Sequence, residues 1–343
     1  MVHAPTDARL SRIVRLLMDH ATVVISGTKM AQEIGTTRSE VWRLVQQLRG
    51  LGVDIAGHSA TGYQLRQVPD LLLAEILAPL LQGTIFGSHI HHYFKIGSTN
   101  VAAMEAAAAG APEGSVFVAE EQVAGRGRGK HGWHSARSQG VYCSVLLRPQ
   151  LSPADVLILT LAAGLAARSA VEHLLARAQE SGRKPGKPPR LDLRWPNDLL
   201  LNGKKFAGIL AELTAEATRV RYLVVGIGIN VNQSSFPADL RDIATSMRLE
   251  TGTCWSRVEL LAALLKSLDR EYHGLLKPGA GGRESVLRRF QEHSSYACDR
   301  RVHVEEDGGY EGVTAGLDGR GFLQVETGKG LRTVLSGGVR AVD

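Results

Sequence analysis

The run Tyr222-Leu223-Val224-Val225-Gly226-Ile227-Gly228-Ile229-Asn230-Val231-Asn232 restricts this chain more than any other stretch. In an extended strand, successive side chains point to opposite faces. One face then carries Val225, Ile227, Ile229 and Val231; the other carries Val224, Gly226, Gly228, Asn230 and Asn232. The apolar face must lie on a core. Paired glycines weaken a strand and are best explained by something lying flat against them. The run predicts a strand whose bare face is the floor of a pocket.

A second stretch points to what that pocket takes. Gly125-Arg126-Gly127-Arg128-Gly129-Lys130-His131-Gly132-Trp133 has little bulk and three cations. Such a loop can lay backbone N–H groups and guanidinium groups on an anion. Its ordering must be driven by a ligand, which predicts a lid over a phosphate-bearing small molecule. Two commoner phosphate motifs do not fit. The dinucleotide fingerprint G-x-G-x-x-G must open a helix, whereas residues 140–147 read as another buried strand. The P-loop needs Ser or Thr after its lysine, and His131 stands there. Taken alone, the loop could equally be a solvated basic hairpin tip.

Composition limits the class. The 343 residues suffice for roughly two or three domains. Net charge of +6 permits an anionic partner without requiring one. Cys143, Cys254 and Cys298 form no C-x-x-C pair, so neither a zinc motif nor a disulfide framework is indicated. His89, His91 and His92 sit in a strand-like run, where half-buried or solvent-facing histidines are expected rather than a metal site. No apolar signal core opens the chain and no run reaches about 18 apolar residues, so a cytoplasmic protein without membrane association is expected.

The first 67 residues read as a winged helix-turn-helix. A helix over 7–20 and a short one over 28–34 precede the turn Gly35-Thr36-Thr37. Thr37 and Glu40 make a capping box. The stripe Val41, Leu44, Val45 and Leu48 leaves Arg38, Ser39, Arg43 and Gln46 on the outer face, and two short strands over 53–55 and 63–65 follow. This order can place the capped helix in a DNA major groove and the wing on phosphate. A helical adaptor or dimerisation domain uses the same pattern. A linker containing Pro69 follows at 67–70.

The middle of the chain alternates strands and helices. Ser98-Thr99-Asn100 opens an alanine-rich helix, and one of the three can cap it. A strand over 115–121 feeds Gln122 and the glycine loop. Ser152-Pro153 starts a long helix to about 177, and 178–190 is a basic, proline-rich loop. A strand over 191–195 ends at Pro196-Asn197-Asp198. Asn202-Gly203 then joins 199–201 to 204–213 as a hairpin. Lys205 stands beside Phe206-Ala207-Gly208, where a lysine either snorkels to solvent or meets an anion. Ser256 and Glu259 cap a helix reaching 276, and a further helix is expected over 283–293. Short strands and turns from 300 onward predict a small five-stranded barrel of the SH3-like kind.

These pieces resemble a known family. Gly125-Arg126-Gly127-Arg128-Gly129, Arg194-Trp195-Pro196-Asn197-Asp198, Lys205-Phe206-Ala207-Gly208-Ile209-Leu210 and Gly226-Ile227-Gly228-Ile229-Asn230-Val231-Asn232 are similar, in order and spacing, to the motifs of biotin–protein ligases. Ser98-Thr99-Asn100 and Ala244-Thr245-Ser246 fit too, and the resemblance spans nearly the whole chain. It points to the longer, bifunctional class, ligase and biotin-operon repressor. The implied fold is α+β: a winged helix-turn-helix over 1–67, a mixed α/β catalytic domain of class II synthetase type over 68–297, and an SH3-like barrel over 298–343.

The resemblance implies two-step chemistry. Biotin and ATP, with magnesium, give biotinyl-5′-AMP and pyrophosphate; the biotinyl group then passes to a lysine of a biotin carboxyl carrier domain. It assigns biotin binding to Ser98, Thr99, Asn100, Gln122, Arg126, Gly127, Arg128, Lys205, Gly208, Gly226 and Gly228. ATP binding falls to Arg126, Arg128, Asn197, Lys205 and Asn230, and catalysis to Arg126, Arg128, Lys205 and Asp198, with Asp198 facing the incoming lysine. Arg38, Ser39, Arg43 and Gln46 would contact operator DNA. A ligand-dependent homodimer is expected, and magnesium would arrive with the nucleotide rather than at a protein motif. After Gly129 the chain reads Lys130-His131-Gly132, where relatives often carry more arginine. A ligand-sensing regulator without catalysis and a lipoate-type acyl ligase are the alternatives.

Overall fold

Apolar spacing and caps build the amino-terminal unit as expected. It comprises α1 (Pro5–Asp19), α2 (Gly27–Ile34), α3 (Arg38–Gly50), β1 (Ile55–His58) and β2 (Gly62–Leu65). Val41, Leu44, Val45 and Leu48 on α3 are fully buried. The Thr37 hydroxyl accepts the Glu40 N–H at 3.2 Å, but the reciprocal half of the capping box is missing. The Glu40 carboxylate instead takes both arms of the Arg43 guanidinium, at 2.8 and 2.6 Å. The first wing strand starts at Ile55 rather than 53, because the Val53 N–H is spent on the Leu48 carbonyl that ends α3.

This computed structural model describes residues 5–20, 23–58, 61–129, 131–180, 188–277, 279, 281–306 and 308–342. Lys130 of the glycine loop and residues 181–187 of the basic stretch lie outside the described residues.

The central unit adds, in chain order, α4 (Ala74–Leu80), β3 (Ile90–Tyr93), α5 (Thr99–Ala108), β4 (Val116–Ala119), β5 (Gly140–Leu147), α6 (Leu157–Glu180), β6 (Leu191–Arg194), β7 (Asp198–Leu201), β8 (Lys204–Ala215), β9 (Val220–Asn230), α7 (Met247–Thr251), α8 (Arg257–Leu276) and α9 (Gly282–Glu292). Seven strands form one sheet in the order β3-β4-β5-β9-β8-β7-β6. Only β3 and β4 run parallel. The glycine-bearing strand is therefore β9, held between β5 and β8. Helices α6, α8 and α9 pack together and cover one face, while the small side chains of α5 (Ala102, Ala103, Ala107) pack on Phe117, Leu146 and Val224 of the other.

The long helix differs from expectation at both ends. Ser152-Pro153 opens a 3-10 turn, Pro153–Asp155, and the long helix proper begins at Leu157 and continues to Glu180. The segment Pro153–Glu180 is also long and apolar enough to cross a membrane, but 72% of its most apolar window is buried inside the protein. That burial is the pattern of a core helix.

The carboxy-terminal unit comprises β10 (Cys298–Val304), β11 (Tyr310–Leu317), β12 (Leu323–Thr327), β13 (Gly330–Val334) and β14 (Val339–Ala341). They pair antiparallel in the order β13-β12-β11-β10-β14 around Val302, Val304, Leu323, Val325, Val334 and Val339. This small sheet docks on the central unit, where the buried Trp195 indole donates to the Gly321 carbonyl at 2.9 Å. The chain as a whole is α+β.

Candidate active site

A cavity of about 760 Å³ opens over the bare face of β9. Its lining contains all fourteen residues assigned above to biotin, ATP and catalysis, together with Trp133, His134, Phe236, Leu240, Ile243 and part of the carboxy-terminal sheet. Each element supplies its share for a local reason.

The cavity floor is as bare as the strand pattern requires, yet it is not open. A Cβ on Gly226 would collide with the Asn100 amide, and one on Gly228 would lie 2.5 Å from the Trp133 indole. The groups lying over the glycines are thus the protein's own Asn100 amide oxygen and Trp133 indole. On β8, a Cβ at Gly208 would meet the same indole at 3.0 Å. Asn230 lines the cavity with both ends of its amide engaged, donating to the Thr245 carbonyl at 3.1 Å and accepting from Gln233 at 3.2 Å. Asn232 lies past the end of β9 and is structural: its amide brackets the Trp255 backbone at 2.8 and 2.9 Å.

The head of α5 forms a polar end wall. Ser98 holds the N-cap position but makes no side-chain cap bond. The Gln122 carbonyl does that work, accepting the Thr99 N–H at 2.8 Å and its hydroxyl at 3.1 Å. The Gln122 amide donates to Ser135 at 2.9 Å. Ser144 lies 2.6 Å from Asn100 and 2.8 Å from Thr99, and Asn100 donates to Glu212 at 2.8 Å. Ser98, Thr99 and Asn100 are all buried.

The glycine loop is a short hairpin bent onto the cavity. Gly127 N–H donates to the His131 carbonyl at 2.8 Å, and Trp133 N–H to the Gly125 carbonyl at 2.9 Å. Arg126 lies 3.6 Å from Glu212. Arg128 reaches Asn197 at 3.3 Å and the Gly337 carbonyl at 3.0 Å, so the carboxy-terminal sheet holds the hairpin tip. Burial lowers the affinity of Arg128 for its proton, against the opposing pull of Asp198 and Glu305. Lys205 does not snorkel: its ammonium sits 2.5 Å from Asp198 and 5.5 Å from the Trp133 ring. Asp198 is clamped from its other oxygen by Arg194 at 2.6 Å.

Behind the cavity, Glu120 at the end of β4 is fully buried. Burial pushes its carboxyl up, but the Arg257 guanidinium, His92 and the Leu72 N–H more than offset that and hold it down at about 2. This also buries His92, which the histidine run had suggested would be half-exposed. Among the described residues no group of three or more His, Cys, Asp or Glu side chains is placed to hold a metal ion.

On the amino-terminal unit, Arg38, Ser39 and Arg43 are exposed on the outer face of α3 and Gln46 is half-buried there. Sequence reasoning passed over Trp42 on the same helix, which is 59% exposed. It also passed over Trp133, His134, Phe236, Leu240 and Ile243. An aromatic following a glycine loop was the available signal for Trp133; the others come from segments with no periodicity.

Comparison with known proteins identifies the family. Residues 96–230 match the Biotin/lipoate A/B protein ligase family, 9–64 an HTH domain, and 297–339 the biotin protein ligase C-terminal domain. The chain is 32% identical over 327 residues to the bifunctional ligase/repressor BirA of Bacillus subtilis, covering 94% of this chain and 96% of that protein. It is 33% identical to the biotin–[acetyl-CoA-carboxylase] ligase of Mycobacterium tuberculosis, over 71% of this chain and 84% of that one. The biotin protein ligase of Aquifex aeolicus, solved in complex with biotin and ATP, superposes with a TM-score of 0.61 at 28% identity, over 74% of this chain and 100% of that one. The chain belongs to the biotin protein ligase family, in the form that carries an amino-terminal helix-turn-helix domain.

Proposed function

We propose that this protein is an ATP-dependent biotin–protein ligase of the cytoplasm that also acts as a biotin-responsive repressor. The observation carrying the enzymatic reading is the convergence of Arg126, Arg128 and Lys205 with Asp198 on one cavity floored by glycine. In the first step a biotin carboxylate oxygen attacks the α-phosphorus of ATP. The bond from that phosphorus to the bridging oxygen breaks, and pyrophosphate leaves with magnesium. Two anions must be brought together, and Arg126, Arg128 and Lys205 offset that repulsion. Lys205 must then turn from Asp198 toward the new anion. In the second step a carrier lysine amine attacks the acyl carbon, the amide forms and AMP departs. Asp198, freed from Lys205 but still aimed by Arg194, takes up or directs the amine proton. The polar end wall of Ser98, Thr99, Asn100 and Gln122 suits a ureido head, and the hairpin shields the mixed anhydride from water.

Incubation with ATP, magnesium, biotin and a carrier domain should label one carrier lysine. Absence of label from folded protein sinks the enzymatic reading. Efficient competition by lipoate would move the reading to a lipoate-type ligase. The winged helix supports operator binding by Arg38, Ser39, Arg43 and Gln46, with ligand-dependent homodimerisation as the means of regulation. Gel shifts on the promoter of the organism's biotin genes, with and without biotin and ATP at two salt concentrations, test that half.

A further inference from the structure

Arg257 and Glu120 are 1% and 0% exposed, yet neither touches the ligand cavity. A buried ion pair is a poor way to gain stability, because several kcal/mol of desolvation must be repaid for each ion and well-packed apolar residues serve as well. What the pair does do is join three segments distant in sequence.

The first segment is the linker to the winged helix. Residues 66–68 are exposed, Pro69 is buried and Asp70 is half-buried. Asp70 accepts from Arg257 Nε at 3.2 Å and from the Val258 N–H at 3.0 Å, and its backbone carbonyl also accepts from Arg257. The Leu72 N–H, two residues on, donates to Glu120 at 2.9 Å. The second segment is the start of α8, which carries Arg257. The third comprises both feet of the glycine hairpin. Glu120 stands two residues before Gln122, and its Oε2 accepts from Arg257 at 2.7 Å and from the Ser138 hydroxyl at 3.2 Å. Ser138 N–H donates to the Glu120 carbonyl at 2.9 Å, and Arg257 reaches the Gly140 carbonyl at 3.4 Å. His92 faces the other Glu120 oxygen at 3.3 Å. Both feet of the hairpin thus meet at the Glu120–Arg257 pair, and Arg257 ties that pair to the linker.

We infer that Asp70 is a positioning residue: through Arg257 and Glu120 it couples the state of the glycine hairpin to the linker that carries the winged-helix domain. Ordering of the hairpin on a ligand stiffens its feet, and the shared guanidinium passes that restriction to residues 66–73. The coupling needs no change of shape, only a loss of freedom felt at both ends. By linkage, whatever fixes the linker tightens ligand binding in return. The inference rests on the reading that the hairpin closes over biotin and nucleotide.

Hydrogen exchange on the full chain, with and without biotin plus ATP, tests it. In the wild type, ligand should slow exchange several-fold both in the hairpin and in peptides spanning 66–73. In Asp70→Asn, which removes the charge but keeps an acceptor for the Val258 N–H, the hairpin response should persist and the linker response should vanish. Carrier biotinylation should stay within twofold, and Asp70→Glu should restore part of the linker response. A linker response of wild-type size in Asp70→Asn overturns the inference, as does a wild type in which only the hairpin responds. A wild type in which the hairpin itself does not respond would contradict the ligase reading, and this inference with it.

Discussion

Lys205 and Asp198 are paired at 2.5 Å, with Arg194 on the opposite oxygen of the same carboxylate at 2.6 Å. The aspartate therefore keeps one cation when the other is withdrawn. This lets Lys205 serve the acid-activation step and Asp198 the transfer step.

Lys205→Gln should lower the single-turnover rate of biotinyl-AMP formation about 10²–10³-fold, the usual loss when one charged contact to a transition state is removed. Thermal stability should change little, because Arg194 still pairs with Asp198. A variant with wild-type adenylation would remove Lys205 from the chemistry.

Asp198→Asn should separate the half-reactions. Adenylate formation should stay within a few-fold, and transfer from preformed biotinyl-AMP to carrier should fall by about 10²-fold, the scale of a lost general base. Equal losses in both steps would show that Asp198 only holds Lys205 in place.

Gly228→Ala places a methyl 2.5 Å from the Trp133 indole, and Gly208→Ala places one 3.0 Å away. Biotin affinity measured by calorimetry should fall more for Gly228→Ala. Equal losses would show that the indole does not rest on β9.

Acid should unfold this protein partly through Glu120. Its carboxyl is held at about 2 in the fold, below the 4.5 of the free group. The contribution is complete above about pH 4.5 and is lost as pH falls toward 2. It amounts to about 3 kcal/mol. Denaturant unfolding at pH 5 and pH 3 reads a little over half of it, about 2 kcal/mol, because the folded carboxylate is still ionised at pH 3. Glu120→Gln should flatten that dependence while costing about 3–5 kcal/mol at neutral pH, because Arg257 loses a buried partner. An unchanged pH slope would contradict the assignment.

On α3, the Arg43 fork is already filled by Glu40. Arg38→Ala should therefore weaken duplex binding more than Arg43→Ala and reduce the salt slope by about one. Trp42→Ala should weaken binding to the preferred sequence more than to random duplex. Equal effects of both arginine substitutions would imply that DNA displaces Glu40.

Much of this was legible in residue order. Period-two alternation located β9 and its bare face, Asn202-Gly203 located the β7–β8 hairpin, and the stripe from Val41 to Leu48 located α3. What lies on the glycines was not legible. Trp133 stands about 95 residues from Gly228, and nothing local to either announces the contact. The hub was hidden for the same reason. Glu120 falls inside an expected strand and Arg257 inside an expected helix cap, and nothing local marks either as buried, because burial of a charge depends on partners 137 and 187 positions away. The carboxy-terminal unit meets the hairpin tip through the Gly337 carbonyl, in the turn before β14, and through the charge of Glu305, and no local side-chain pattern encodes either.

On the proposed reading, cations gathered over the β9 floor activate an acid with a nucleotide. Biotin-dependent exchange of labelled pyrophosphate into ATP tests this most directly, because it reads the first step without carrier or DNA. Exchange should require biotin, persist in Asp198→Asn and fall about 10²-fold or more in Arg128→Ala and Lys205→Gln. Exchange that does not need biotin, or that survives loss of both cations, would contradict it.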